Sequence, residues 1–285
     1  MIVITGATGQ LGRLVIASLL KKVPASSLVA AVRNPDKAKD LASAGVQVRQ
    51  ADYTAPESWK AALAGADKVL LISSSEVGQR INQHRTVIEA AREAGVKLLA
   101  YTSLLRADTS PLGLAAEHLA TETMIRDSGI PYVILRNGWY TENYAASVPA
   151  AVEHGRVYGS AGDGRIASAA RADYAEAAAA VLTRGGEVGR VYELAGDTAY
   201  TLTEFSTEIS RQYGKEVNYV NLPELEYKKL LVSVGFPEPF AALLADSDTG
   251  ASKGGLFDDG HQLSNLIGRP TTSLAAVIAQ GKKGT

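Results

Sequence analysis

Short apolar runs alternate with segments of helical period through the first half of the chain. Strands are predicted at Ile2–Thr5, Leu28–Val32, Gln47–Gln50, Lys68–Ser73, Leu98–Thr102 and Tyr132–Arg136, where apolar and β-branched residues cluster. Helices are predicted between them, at Gly9–Lys22, Pro35–Ala44, Pro56–Ala64, Ile81–Ala94 and Leu112–Asp127. Gly45, Gly65, Gly95 and Gly129 each stand just past a helix end, where glycine takes the left-handed cap without strain. Repeated β–α steps imply an α/β fold with a doubly wound parallel sheet, because crossovers through helices are right-handed and cover both faces.

After Asn137 the pattern loosens. A Gly-rich stretch runs from Gly155 to Gly164, an Ala-rich helix is predicted at Asp173–Leu182, and Val191–Leu194 reads as a buried strand. Thr201-Leu-Thr-Glu204 has the form of a capping box and opens a helix to Tyr213. A short strand at Val217–Asn221, two further helical segments and a polar loop at Asp246–Gly260 follow. The expected partition is a larger α/β domain over 1–137, joined again by 172–197, with a smaller lid domain from 138–171 and 198–285.

Composition narrows the function classes. The chain has 285 residues, 29 basic against 30 acidic side chains and no cysteine. A disulfide scaffold, an iron–sulfur site, a thiolate zinc site and a cysteine nucleophile are thereby excluded. The near-neutral balance offers no broad surface for nucleic acid. No apolar run approaches the roughly 20 residues that span a bilayer. Met1 leads straight into a strand without a basic, apolar leader. A cytoplasmic location without membrane insertion is therefore expected. The four histidines lack ligand spacing, so no metal is expected.

The strongest motif is Gly6-Ala7-Thr8-Gly9-Gln10-Leu11-Gly12, between the first strand and the first helix. Gly6 permits a tight turn, Gly9 lets the backbone approach a pyrophosphate, and Gly12 lets helix and strand pack closely. The amides at the helix N-terminus then face the phosphates. Arg33 ends the second strand, where an NAD-selecting protein carries an acid, and it suits the 2′-phosphate of NADP. Asp52 and Tyr53 follow the third strand, where an adenine would lie; an ordinary helix-entry turn explains them as well. Ser73, Ser74 and Ser75 follow the fourth strand and offer small hydroxyl residues beside a ribose.

The active-site half is notable for what it lacks. None of the twelve tyrosines has Lys four residues on, the pair that ordinary short-chain dehydrogenases use as a proton relay. Leu114 and His118 occupy those slots, and Ser103 follows the fifth strand. His118 is a candidate acid or simply a helix residue that packs. Gly250-Ala-Ser252-Lys-Gly254 imitates a hydrolase elbow, with Asp258, Asp259 and His261 following, but no buried strand leads into it.

The Gly-Ala-Thr-Gly-x-x-Gly start, Arg33, the absent relay and Leu135-Arg136-Asn137-Gly138-Trp139-Tyr140 together resemble the NmrA-like atypical short-chain reductases. The stretches Leu71–Arg80 and Leu244–Asp248, with Asp259, narrow the resemblance to their bacterial quinone reductases. The likeness covers essentially the whole chain. It implies two-electron reduction of a small-molecule quinone by NADPH without a flavin. It also implies that Asn137, Gly138, Trp139, Tyr140, Thr141 and Glu142 line the nicotinamide half of the cofactor, and that Arg171 approaches it. Asn137 suits a ribose or carboxamide. Trp139 and Tyr140 offer flat surface to an aromatic acceptor, with Asn143 next in line. A nucleotide-binding redox sensor, or a reductase of another conjugated acceptor such as a triphenylmethane dye, stays open as an alternative, as does a homo-oligomer.

Overall fold

The structure is a computed structural model and describes residues 1–185 and 188–282. Strand β1 (Ile2–Ile4) leads into helix α1 (Gln10–Leu20), and β2 (Leu28–Val32) into a short 3-10 turn and α2 (Lys39–Ser43). Then come β3 (Gln47–Gln50), α3 (Pro56–Ala62), β4 (Lys68–Leu71), α4 (Arg80–Glu93), β5 (Leu98–Leu104), α5 (Ala115–Asp127) and β6 (Tyr132–Asn137). Helices α6 (Thr141–Ala145) and α7 (Val148–His154) precede β7 (Arg156–Gly159), followed by α8 (Arg171–Thr183) and β8 (Arg190–Leu194). The chain ends with α9 (Leu202–Tyr213), β9 (Asn218–Asn221), α10 (Glu224–Ser233), α11 (Glu238–Ser252), α12 (Gln262–Ile267) and α13 (Leu274–Lys282).

Seven strands form one sheet in the order β3-β2-β1-β4-β5-β6-β8, and β1 pairs in parallel with both β2 and β4. The chain order reverses its direction of growth at β1/β4, the switch point beside which such sheets bind ligands. Strands β1, β2 and β5 are buried along their whole length, as a parallel sheet covered on both faces requires. β7 and β9 form a separate parallel pair.

The chain divides into two compact units. One comprises 1–107, 116–137 and 171–192; the other comprises 108–115, 138–170 and 193–285. In the first, α1 packs against α8, whose surface is small and buried nearly all round: Ala175, Ala177, Ala178, Ala179 and Ala180 are all in the interior.

Three expectations need correction. The helix expected over Pro35–Ala44 is broken into a 3-10 turn and α2, because Ala38 lies at φ −117°, outside helical geometry. The Gly-rich stretch, where the pattern predicts no element, holds β7, and Gly155 is the left-handed cap of α7 (φ +69°). The polar loop expected from Asp246 is instead helical as far as Ser252: α11 turns Ser247, Asp248 and Ala251 into the interior, and tertiary burial overrides local preference. Ser252 therefore ends a helix and follows no strand, which removes the elbow geometry. The capping box forms in full, with Glu204 N donating to Thr201 Oγ1 and Thr201 N donating to the Glu204 carboxylate.

Gly12 is the tightest point of the first unit. A Cβ there would lie 2.4 Å from the carbonyl oxygen of Gly6 and 2.8 Å from Ala7 Cα, both backbone atoms. Gly12→Ala should therefore destabilise the fold by about 1–3 kcal/mol despite alanine's better helix propensity. Thermal unfolding should show a lowered Tm; an unchanged or raised Tm would contradict this packing.

Candidate nucleotide site and its buried polar support

The phosphate turn has the geometry its sequence predicts. Gly6 lies at φ +57°, a left-handed conformation that side chains resist, and its carbonyl accepts from Gly9 N at 2.9 Å. Gly9 begins α1 with φ −73°, and nothing caps the helix: no side chain bonds to its first amides, and no acid stands in its first turn. These amides and the helix dipole are thus available to an anion. A Cβ on Gly9 would meet only Gly6 O, at 3.1 Å. Ala7 and Leu11 are buried beneath the turn, while Gly6, Gly9 and Gln10 are exposed and Thr8 is half-buried. Arg13, one residue past Gly12, ties the turn to the neighbouring connection through Thr8 O, Lys37 O and the Asp40 carboxylate.

Thr5, fully buried at the end of β1, joins the carboxyl ends of three strands. Its Oγ1 accepts from Ile72 N (3.0 Å) and from the Tyr53 hydroxyl (3.2 Å). Tyr53 also stacks on Trp59, with ring centroids 5.5 Å apart. Asp52 turns its carboxylate onto Thr54 N and Oγ1, both at 2.9 Å, which is the helix-entry turn. Those hydrogen bonds hold its carboxyl below the ordinary range. Ser73 N donates to Thr102 Oγ1 and Ser74 N to His84 Nε2. The Ser74 hydroxyl accepts from Glu76 N, which leaves its O–H as a donor, and Ser75 is exposed. Arg33 lies open at the end of β2, its guanidinium beside Glu76.

Asn137 ends β6 in the interior with no hydrogen-bond partner for its side-chain carbonyl. A buried acceptor without a donor is costly and fits a ligand N–H or O–H. Together with the uncapped α1 and the Gly12 cradle, it shows that the residues present suit a dinucleotide.

A polar network stands where ordinary short-chain dehydrogenases keep their relay. Pairing of β5 with β6 sets Ser103 opposite Arg136. The Ser103 hydroxyl donates to Glu122 Oε1 (2.7 Å), and Arg136 grips both oxygens of that carboxylate at 2.8 Å each. Arg126 adds a fourth bond at 2.9 Å. Burial pushes Glu122 up, but the bonds from Arg136, Ser103 and Arg126 outweigh it and hold the carboxyl below its ordinary value. His118 is buried, its Nδ1 2.7 Å from the Tyr101 hydroxyl. Burial, together with Arg80 and His84, pushes its pKa down to about 3, so it is neutral and packed rather than a poised acid. His84 accepts from Ser74 N at Nε2, so Nδ1 carries the proton and donates to Thr121 Oγ1 (2.9 Å). Burial and Arg80 likewise hold His84 at about 3. Sequence reading missed this network, although Tyr101/Ser103 at strand period and His118/Glu122 at helix period carry its signal.

In the second unit, Gly138 N donates to Leu194 O, and Trp139 O and Thr141 N bond to Ala169 on both sides of Tyr140. Trp139 is only 8% exposed, Tyr140 precedes α6, and Thr141 Oγ1 meets Ser168 Oγ at 2.8 Å. Glu142 is half-buried and Asn143 exposed. Arg171 opens α8 in the first unit. Asp248 is a buried acid that sequence reading did not single out: its carboxylate accepts from the Tyr144 hydroxyl (2.8 Å) and Ser160 N (3.0 Å). Burial pushes it up to about 6. Gly159 makes room for it, since a Cβ there would lie 2.6 Å from Asp248 Oδ2. Its partners come from separate elements, so no spacing could announce it.

A cleft of about 230 Å³ between α4 and α5 is lined by Arg85, Arg92, Met124 and Asp127. It lies toward the last turns of helices that run back from the carboxyl edge, away from the phosphate turn. Among the described residues there is no group of three side chains able to hold a metal, and no helix long and apolar enough to cross a membrane.

The NAD(P)H-binding family profile matches residues 6–184. The chain belongs to that family. It is 63% identical over 279 residues to quinone oxidoreductase 2 of Escherichia coli, covering 98% of each chain. The crystal structure of that organism's NADPH-dependent quinone oxidoreductase, complexed with NADPH, superposes with a TM-score of 0.97 at 62% identity, over 99% of this chain and 100% of the other. The triphenylmethane reductase of Citrobacter sp., complexed with NADP(H), gives 0.95 at 43% identity, over 98% and 99%.

The two buried histidines, His84 and His118, make stability depend on pH. Both have folded-state values near 3 against an ordinary 6.5, so the unfolded chain binds more protons between those limits. Stability should therefore fall as pH drops from 6.5 toward 3. Asp248, raised from 3.8 to about 6, works the other way between those two values. Asp248→Asn should remove that offset and steepen the loss on acidification, read as the slope of Tm against pH; a flatter slope would refute the assignment.

Proposed function

We propose that this protein is an NADPH-dependent quinone oxidoreductase of the cytoplasm, reducing a quinone by two electrons without a flavin between donor and acceptor. The near full-length likeness to such an enzyme supports the reaction class. The observation that carries the acceptor class is that both polar groups at the relay position are already committed, Ser103 to Glu122 and His118 to Tyr101. A quinone tolerates this, because hydride addition yields a stabilised hydroquinone anion that a water can protonate. Simple ketones and aldehydes, including those of sugars, would need the missing acid to protonate the alkoxide.

The bound dinucleotide supplies the hydride. In this reading the amides of α1 hold its pyrophosphate, and Gly9 keeps the approach open. Arg33 holds the 2′-phosphate, Ser73 and Ser75 border the adenosine ribose, and Tyr53 backs the adenine side. The Asn137 carbonyl accepts from the carboxamide or a ribose hydroxyl. Residues 138–142 and Arg171 serve the nicotinamide half, and Trp139, Tyr140 and Asn143 receive the acceptor. In this reading 1–137 with 172–197 serve the cofactor and 138–171 with 198–285 the acceptor, although 108–115 and 193–197 pack with the second compact unit and Arg171 with the first. The 43% identity to a triphenylmethane reductase favours a dye as a second acceptor class.

Consumption of NADPH with a simple benzoquinone, and no added flavin, tests the reaction; a requirement for flavin would overturn it. No turnover with any of a panel of quinones, dyes and enones would instead favour a nucleotide sensor. Arg33→Asp should weaken NADPH about 10–100-fold more than NADH, since a charged pair is lost and a repulsion added. Gly9→Val should abolish binding of both cofactors, because its side chain fills the approach to the helix amides, with its Cβ 3.1 Å from Gly6 O; retained tight binding in the folded variant would refute the phosphate site.

The chemical step gives a further test. His118→Ala and Ser103→Ala should cost kcat less than the roughly 10²–10⁴-fold typical of a lost general acid. Tyr140→Ala should raise KM for bulky quinones more than it lowers kcat. A thousand-fold collapse of kcat in folded His118→Ala would refute the acid-free step.

A further inference from the structure

Strands β2 and β4 flank β1 on opposite sides, and the turn that follows β1 is the Gly6–Gly12 loop. Arg33 stands immediately after β2, and Glu76 stands in the loop after β4. Their side chains meet, Arg33 Nη1 to Glu76 Oε1 at 3.5 Å. The pair therefore crosses the carboxyl end of β1, where the phosphate turn begins.

Glu76 is held in place for this contact. Its other carboxylate oxygen accepts from Gln83 Nε2 at 2.7 Å, and its backbone N–H donates to Ser74 Oγ. Both ends of the loop are fastened, the first to buried side chains and the second to the half-buried Glu117. Ser74 O accepts from Arg80 Nε at 2.6 Å and Ser74 N donates to His84, while Gly78 N donates to Glu117 Oε1 at 3.0 Å. Gln83, Arg80 and His84 are all in the interior. The carboxylate is thus mounted on a rigid frame and aimed at a guanidinium that is itself 74% exposed.

We propose that Glu76 is a specificity-determining residue, an internal competitor that occupies the Arg33 guanidinium until the 2′-phosphate of NADPH or NADP⁺ displaces it. The proposal rests on the assignment of Arg33 made above. A phosphate monoester carries nearly two charges and three acceptor oxygens against the carboxylate's single charge, so it wins the exchange. The bridge is solvent-exposed on both sides, 74% and 51%, so breaking it costs little. NADH brings no anion to that guanidinium and leaves the bridge closed. Re-formation of the bridge favours departure of NADP⁺ after turnover, when product release would otherwise hold the site.

Equilibrium titration of the full chain with NADPH, NADP⁺ and NADH tests this in Glu76→Gln, Arg33→Gln and the double variant. Glu76→Gln should tighten NADPH and NADP⁺ by about two- to five-fold, the worth of an exposed ion pair, and widen the ratio of NADH to NADPH dissociation constants by that factor. In the Arg33→Gln background the second substitution should change nothing, because the competitor has lost its object. An unchanged ratio in Glu76→Gln, or weaker NADPH binding, overturns the competitor. If Arg33→Gln still loses NADPH selectively in that case, the assignment of Arg33 stands and only Glu76 is removed. Equal loss of both cofactors in Arg33→Gln refutes the phosphate assignment and the competitor together.

Discussion

Helix α1 rests on the backbone of the turn that precedes it, with Gly12 so close to Gly6 that a single methyl group would collide with the peptide. This approach fixes where the helix begins, and so where its uncapped amides lie. The neighbouring connections are then arranged around a fixed point. Thr5 ties the ends of β1, β3 and β4 together, and Arg13 fastens the turn to the connection after β2. An anion-binding end of a helix is useful only if it cannot shift, and here close packing at Gly12 and the hydrogen bonds of the turn hold it still together.

Behind this edge the interior carries an unusual charge load. Glu122, gripped by Arg136 and supported by Ser103 and Arg126, is a fully paired buried carboxylate, and it occupies the ground that a proton relay would need. A buried ion pair contributes little net stability, since desolvation offsets its attraction. Its value is geometric: it locks the faces of β5, β6 and α5 in one register. Nearby, two neutral histidines serve as hydrogen-bond joints, His84 between the loop after β4 and α5, and His118 between α5 and β5. The helix slot that lacks Lys has therefore been turned from proton transfer to support.

Much of the fold was legible because local signals and tertiary demands agree. The buried strands of the sheet, the left-handed caps at Gly45, Gly65, Gly95 and Gly129, and the Thr201 capping box all follow from short stretches of sequence. The phosphate turn was legible for the same reason, since each glycine has a separate steric task within seven residues. Asp248 was not, because Tyr144 and Ser160 reach it from elements far apart in the chain. The extension of α11 through Asp246–Ser252 was also hidden, since residues that favour turns are held helical by burial on one side. The bond from Glu76 N to the Ser74 hydroxyl was hidden as well, since no spacing rule foretells it.

The alanines of α8 have a consequence for how such a chain can change over evolutionary time. A helix buried nearly all round by single methyl groups against α1 leaves no slack on either side. Alanine loses no side-chain freedom on folding, so the contact is entropically inexpensive, but it admits no independent enlargement. Drift at α8 is then coupled to drift at α1, and α1 is itself pinned by the phosphate turn. Homologous sequences should record this as paired exchanges, a larger residue on one helix coinciding with a smaller one on the other, while the largely exposed α10 varies more freely.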